Sequence, residues 1–97
     1  MFIDASALTA ILVGESDAAA LLARLQKARI RVTSPLAIWE TTLAVARNLD
    51  MDIREAQQAV EDFLALAEIQ VAPVAAEARN QALDAHERYG KRRHPAS

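Results

Sequence analysis

Apolar residues follow two kinds of pattern along this chain. Short apolar or branched runs lie at 1–4, 30–33 and 69–73. Between them, apolar side chains recur every three or four positions. The first pattern predicts short buried strands and the second predicts amphipathic helices. A helix from near Ser6, whose hydroxyl suits a cap, carries Leu8, Ile11 and Leu12 and stops near Gly14. Ser16 or Asp17 begins the next, with Leu21, Leu22, Leu25 and Ala28 on one stripe. In RIRVTSP, Ile30 and Val32 alternate with Arg29, Arg31 and Thr33, which predicts a second strand.

Ser34-Pro35 starts a helix, a hydroxyl cap followed by proline in the first turn. That helix runs to about Asn48. Asp52 and Glu55 have capping-box spacing. They precede a helix with Ile53, Ala56, Val60, Phe63, Leu64 and Ala67 on one face. IQVAP is a third strand, ended by Pro73. A last helix places Ala75, Ala78, Ala82, Ala85 and Tyr89 on one side and ends at Gly90, leaving KRRHPAS as an exposed tail. The order is thus β-α-α-β-α-α-β-α, an α/β arrangement with a parallel sheet and crossover helices. Functional residues in such sheets gather at the carboxyl ends of the strands. Asp4 falls at that end of the first strand.

Composition narrows the chemistry. The chain has 97 residues, enough for one small domain, and 53% of them are hydrophobic, too many for a disordered chain. With no cysteine, disulfides, thiolate catalysis and cysteine-ligated zinc are excluded. The net charge of −2 gives no bulk attraction to polyanions, so any nucleic-acid site is a local patch. No apolar run approaches the length of a membrane span, and Asp4 interrupts what would be a secretion signal. A cytoplasmic location is the expectation.

Two acids stand out. Asp4 ends an apolar strand; as a bland alternative, it caps the helix that follows. Glu40 has Leu36 and Leu43 one turn away on either side, with Trp39 about 100° around the helix. It therefore lies on or beside the apolar stripe. The bland alternative for Glu40 is an ion pair with Arg47 or another cation.

Two carboxylates converging on one cleft repel each other unless a cation lies between them. A hard divalent ion, Mg²⁺ or Mn²⁺, is the natural choice. Ser6 would add a hydroxyl that contacts the ion or orients Asp4. Such a centre suits hydrolysis of a phosphodiester. Lys91, Arg92 and Arg93, with Arg88 and His94, form either a solvated tail or a patch for RNA phosphates. His86 and His94 read as ordinary residues. No phosphate-cradling glycine loop or Ser-His-Asp arrangement is present.

FIDASAL, TSPLAIWE and HERYGKRRHPA together resemble the VapC-type toxins of bacterial toxin–antitoxin pairs, which are PIN-domain ribonucleases. The resemblance runs along essentially the whole chain. It implies a three-layer α/β sandwich and Mg²⁺- or Mn²⁺-dependent endoribonuclease activity on structured RNA such as tRNA or rRNA. By position, Asp4 and Glu40 would be the catalytic, metal-holding acids and Ser6 the associated hydroxyl. A cognate antitoxin would mask the acidic groove, and a homodimer is expected.

The resembled family continues past the RHPA loop into segments that bring further acids and strands. The expectation is therefore a single PIN-like domain over 1–97, incomplete at its carboxyl end. Its sheet would finish at residues 1–4 with an uncovered apolar edge. Such a chain is expected to bind metal weakly and cleave RNA poorly, and a fragment of a complete toxin is the favoured origin. The alternative is a non-catalytic remnant or helical interaction module. In that reading, segments 17–28 and 35–67 form a groove for an antitoxin or partner subunit, and Ala37, Thr41, Ala44 and Asn48 allow close helix approach. A helix-turn-helix DNA binder is weaker still, because none of these helices is basic.

Overall fold

The computed structural model describes residues 1–73 and the strand residues 82 and 83. Among these, the elements in chain order are β1 (Phe2–Ile3), α1 (Ala5–Val13), α2 (Ala18–Lys27), β2 (Val32–Thr33), α3 (Pro35–Asn48), α4 (Ile53–Leu66), β3 (Gln70–Val71) and β4 (Ala82–Leu83). The strands form one parallel sheet in the order β3-β2-β1-β4. Phe2 stands opposite Val32 on one side and Ala82 on the other, and Val32 stands opposite Gln70. This is the mixed α/β fold with a parallel sheet that the sequence predicts.

Helix boundaries follow local chemistry. Asp4, not Ser6, caps α1: its side chain accepts a hydrogen bond from the Ala7 amide at 2.9 Å. Gly14 closes that helix at φ 81°, where a side chain would be strained. Ser34 Oγ accepts from the Ala37 amide at 3.0 Å, and Pro35 fills the first helical position of α3. Glu55 returns the capping-box bond of α4, accepting from the Asp52 amide at 3.1 Å. Asp17 occupies the cap position of α2.

Two-residue strands bury little on their own, so helix packing carries the fold. α1 packs on α2 and α3, and α3 packs on α4. The core joins Ile3 of β1 to Leu8, Leu21, Leu25, Val45, Val60, Leu64 and Ile69. At the amino end of β2, the Arg31 guanidinium donates to the carbonyls of Gln26 (3.1 Å), Ala28 (3.0 Å) and Ala67 (2.6 Å). It thereby satisfies carbonyls at the carboxyl ends of two helices, where orphan acceptors and the negative end of the dipole coincide.

The sequence expectation fails at three further points. Ala82 and Leu83 lie in a strand, not a helix; the other residues of the expected 75–89 helix lie outside the described ones. Alanine favours helix by only tenths of a kcal/mol over most residues. A buried strand with one unpaired edge leaves several backbone groups unsatisfied, which outweighs that preference. Consequently β1 is an interior strand between β2 and β4, not an uncovered edge.

The alternation at 30–33 also fails at its two ends, while Arg31 and Val32 are both half-buried. Ile30 is 66% exposed, whereas Thr33 is fully buried and its hydroxyl donates to the Ile3 carbonyl at 2.7 Å. A threonine can turn inward when its hydroxyl finds an acceptor. Finally, α3 packs through its small and branched residues, Ala37, Thr41, Thr42 and Val45. The larger Leu36, Trp39 and Leu43 remain exposed, at 64%, 54% and 39%. The hydroxyls of Thr41 and Thr42 are satisfied by the carbonyls of Ala37 and Ile38, at 2.7 and 2.8 Å.

Candidate functional site

In an open parallel sheet, ligands bind beyond the carboxyl ends of the strands where the strand order reverses. Here the order reverses at β1, which has β2 on one side and β4 on the other. Asp4 is the residue that follows β1. Ser34 follows β2 and launches α3, which carries Glu40 a turn and a half later. The Thr33–Ile3 hydrogen bond ties the two launching points together.

Asp4 and Glu40 line one cleft of about 440 Å³. Its remaining walls are mostly apolar, among them Phe2, Pro35, Leu36 and Pro73. Ser6 and Glu40 line a neighbouring cleft of about 370 Å³ between α1 and α3. That cleft is polar: Thr9, Glu15, Arg47 and Asn48 share it with Ser6. Glu40 and Ala5 belong to both. The structure thus brings Asp4, Ser6 and Glu40 to adjoining spaces, with Glu40 at the divide.

Glu40 is exposed, and the large apolar residues around it on α3 face outward. It therefore stands at the rim of the packing face, not within a buried stripe. Among the described residues, no ion pair or side-chain hydrogen bond joins Glu40 to Arg47. Asp4 is half-buried and also acts as the helix cap, so the bland reading of this acid is true as far as it goes.

The donor chemistry fits a hard divalent cation. Mg²⁺ commonly takes one or two carboxylates and keeps several waters. Among the described residues, no group of three or more His, Cys, Asp or Glu converges to hold an ion. The fit is therefore to a water-rich site with two carboxylates, not to a closed protein cage.

Lys91, Arg92, Arg93, His86 and His94 lie outside the described residues. The sequence marks Arg47 only as a partner for Glu40 and Asn48 only as a position of close helix approach, and it gives Thr9 no role. Their signal is spacing: Ala44, Arg47 and Asn48 stand four, seven and eight residues after Glu40, on one helix face.

Of the small face that the sequence offers for close helix approach, Ala37 and Thr41 are buried, whereas Ala44 is half-buried and Asn48 exposed, both lining the polar cleft. Among the described residues, no helix is long and apolar enough to cross a membrane. The model of the PIN domain family matches residues 1–96 of the chain. A search of curated proteins returned no match.

Proposed function

Because the chain belongs to the PIN domain family, whose members are typically metal-dependent nucleases, we propose that it is a VapC-type toxin endoribonuclease. The observation that carries this reading is the meeting of Asp4 and Glu40 on one cleft, at the carboxyl end of β1, where the sheet order reverses. Two carboxylates attract no RNA by themselves, so they serve the reaction by holding a cation that does. When bound, Mg²⁺ or Mn²⁺ supplies an activated water and neutralises charge on the phosphate. Asp4 and Glu40 bind that ion from two rigid starting points, the first turn of α1 and the second turn of α3. Ser6, which shares the polar cleft with Glu40, orients the carboxylates. Lys91, Arg92 and Arg93 add phosphate contacts.

The proposal includes the partners. RNA, with tRNA or rRNA as the class, enters the clefts. A cognate antitoxin masks them, and a second copy of the chain completes a homodimer. The exposed Leu36, Trp39 and Leu43 on α3 give apolar surface of the kind protein partners cover. The working location is the cytoplasm.

The test is cleavage of structured RNA with and without divalent metal. Slow cleavage is expected that needs Mg²⁺ or Mn²⁺ and vanishes in Asp4→Asn and Glu40→Gln. Cleavage that persists in both variants, or in excess chelator, would remove this reading. If the chain instead binds a partner protein and shows no metal-dependent cleavage, the interaction-module reading replaces it.

A further inference from the structure

The polar cleft has a cation at its far end from Asp4 that the nuclease reading does not use. Glu40, Ala44, Arg47 and Asn48 form its α3 wall, and Ser6 and Thr9 stand on its α1 wall. Seven residues of helix separate Glu40 from Arg47 by about 10 Å along the axis and bring them back to the same face. Arg47 is exposed, and it takes no ion pair or side-chain hydrogen bond among the described residues. Asn48 is anchored through its side-chain amide, which donates to the Ala44 carbonyl at 2.7 Å.

We propose that Arg47 binds a phosphate of the RNA strand next to the one at Glu40, so that the strand lies along the groove between α1 and α3. This rests on the nuclease reading and adds a direction to it. The lining decides the kind of occupant. A guanidinium, two hydroxyls and an amide are the groups that contact phosphate and sugar. A protein tail would need apolar anchors, and among the described residues this cleft offers only Ala5 and Ala44. Glu15 also lines it and repels a phosphate. Arg47 is thus the one cation among the cleft's described lining residues that draws the strand in. Arginine suits the task because its planar fork binds a phosphate through two hydrogen bonds.

The experiment measures binding of a short labelled single-stranded RNA across salt concentrations, with Mn²⁺ binding followed separately. Arg47→Gln is expected to weaken RNA binding several-fold at low salt. It should also reduce the magnitude of the log–log salt slope by about 0.7, the share of one phosphate contact on a single strand. Arg47→Lys should restore most of the slope, because the charge returns. Arg29→Gln, exposed and outside the cleft, should leave affinity and slope unchanged. Mn²⁺ affinity should be the same in all four proteins.

An Arg47→Gln protein with wild-type affinity and slope would overturn the inference alone, leaving the nuclease reading intact. So would a variant that only loses thermal stability, since Arg47 would then be a structural partner of Glu15. A wild-type protein that binds no RNA would overturn both.

Discussion

The two ends of the sheet handle charge in opposite ways. At the amino end, cations are matched to backbone carbonyls: Arg31 reaches three of them, and the terminal ammonium donates to the Ile30 carbonyl at 3.0 Å. At the carboxyl end, Asp4 and Glu40 face open clefts, and Glu40 has no protein cation in contact among the described residues. The first arrangement ties α2, α4 and β2 together and commits three of the guanidinium's five N–H groups to backbone carbonyls. The second leaves negative charge facing solvent where a ligand can reach it. A charged residue whose hydrogen bonds close on its own chain is structural. Glu40, which lines both clefts with no such closure among the described residues, is a candidate for binding, and Asp4 combines the cap of α1 with a place on one of those clefts.

This contrast predicts different outcomes for substitutions at the two ends. The largest effect is expected from Arg31→Met, which strands three carbonyls. Hydrogen bonds to charged groups contribute roughly 1.5–3 kcal/mol each and are not additive, so a loss of about 3 kcal/mol is expected. For a domain of this size that lowers Tm by more than ~10 °C in a thermal melt. Arg31→Lys should rescue only part, because an ammonium cannot span the same fork. By contrast, Glu40→Gln should change stability by no more than ~0.5 kcal/mol. Equal losses at both sites would end the distinction.

A smaller effect is expected at Thr33, which joins the strand ends that launch α1 and α3. Thr33→Val removes the buried donor to the Ile3 carbonyl and should cost about 1 kcal/mol in chemical denaturation. Thr33→Ser should retain most of it. If valine were neutral, the hydroxyl would not be what fixes the spacing of the two carboxylates.

The finest test divides the two roles of Asp4. Without metal, Asp4→Ala should lose about 1 kcal/mol as the cap of α1 disappears, whereas Asp4→Asn should lose only tenths, since asparagine caps equally well. With Mn²⁺ present, the wild type should gain stability through ligand linkage and neither variant should. A rise in Tm of the asparagine variant equal to that of the wild type would leave Asp4 as a cap and nothing more.

Much of this was legible in the sequence because it is local. Ser34-Pro35, Asp52 with Glu55, and Gly14 each mark a helix boundary through chemistry within one turn. Asp4 and Glu40 were legible because each breaks an apolar pattern. What was hidden depends on partners far along the chain. Ala82 and Leu83 carry a helical pattern, yet they pair with β1, some eighty residues away. Thr33 turns inward because the Ile3 carbonyl awaits its hydroxyl, thirty residues earlier. The spacing of Leu36 and Leu43 puts Glu40 beside an apolar stripe and predicts that stripe to be buried. Helix α3 instead packs through Ala37, Thr41 and Val45, because small residues let α1 and α4 approach closely. Periodicity identifies a helix, but only the neighbour decides which face it prefers.

The most direct test of the central claim is a count of bound Mn²⁺ by electron paramagnetic resonance in the wild type, Asp4→Asn and Glu40→Gln. If the two acids hold one cation together, the wild type binds a single ion and each variant loses it while keeping its fold. Equal Mn²⁺ binding in all three proteins, or none in the wild type, would contradict the account.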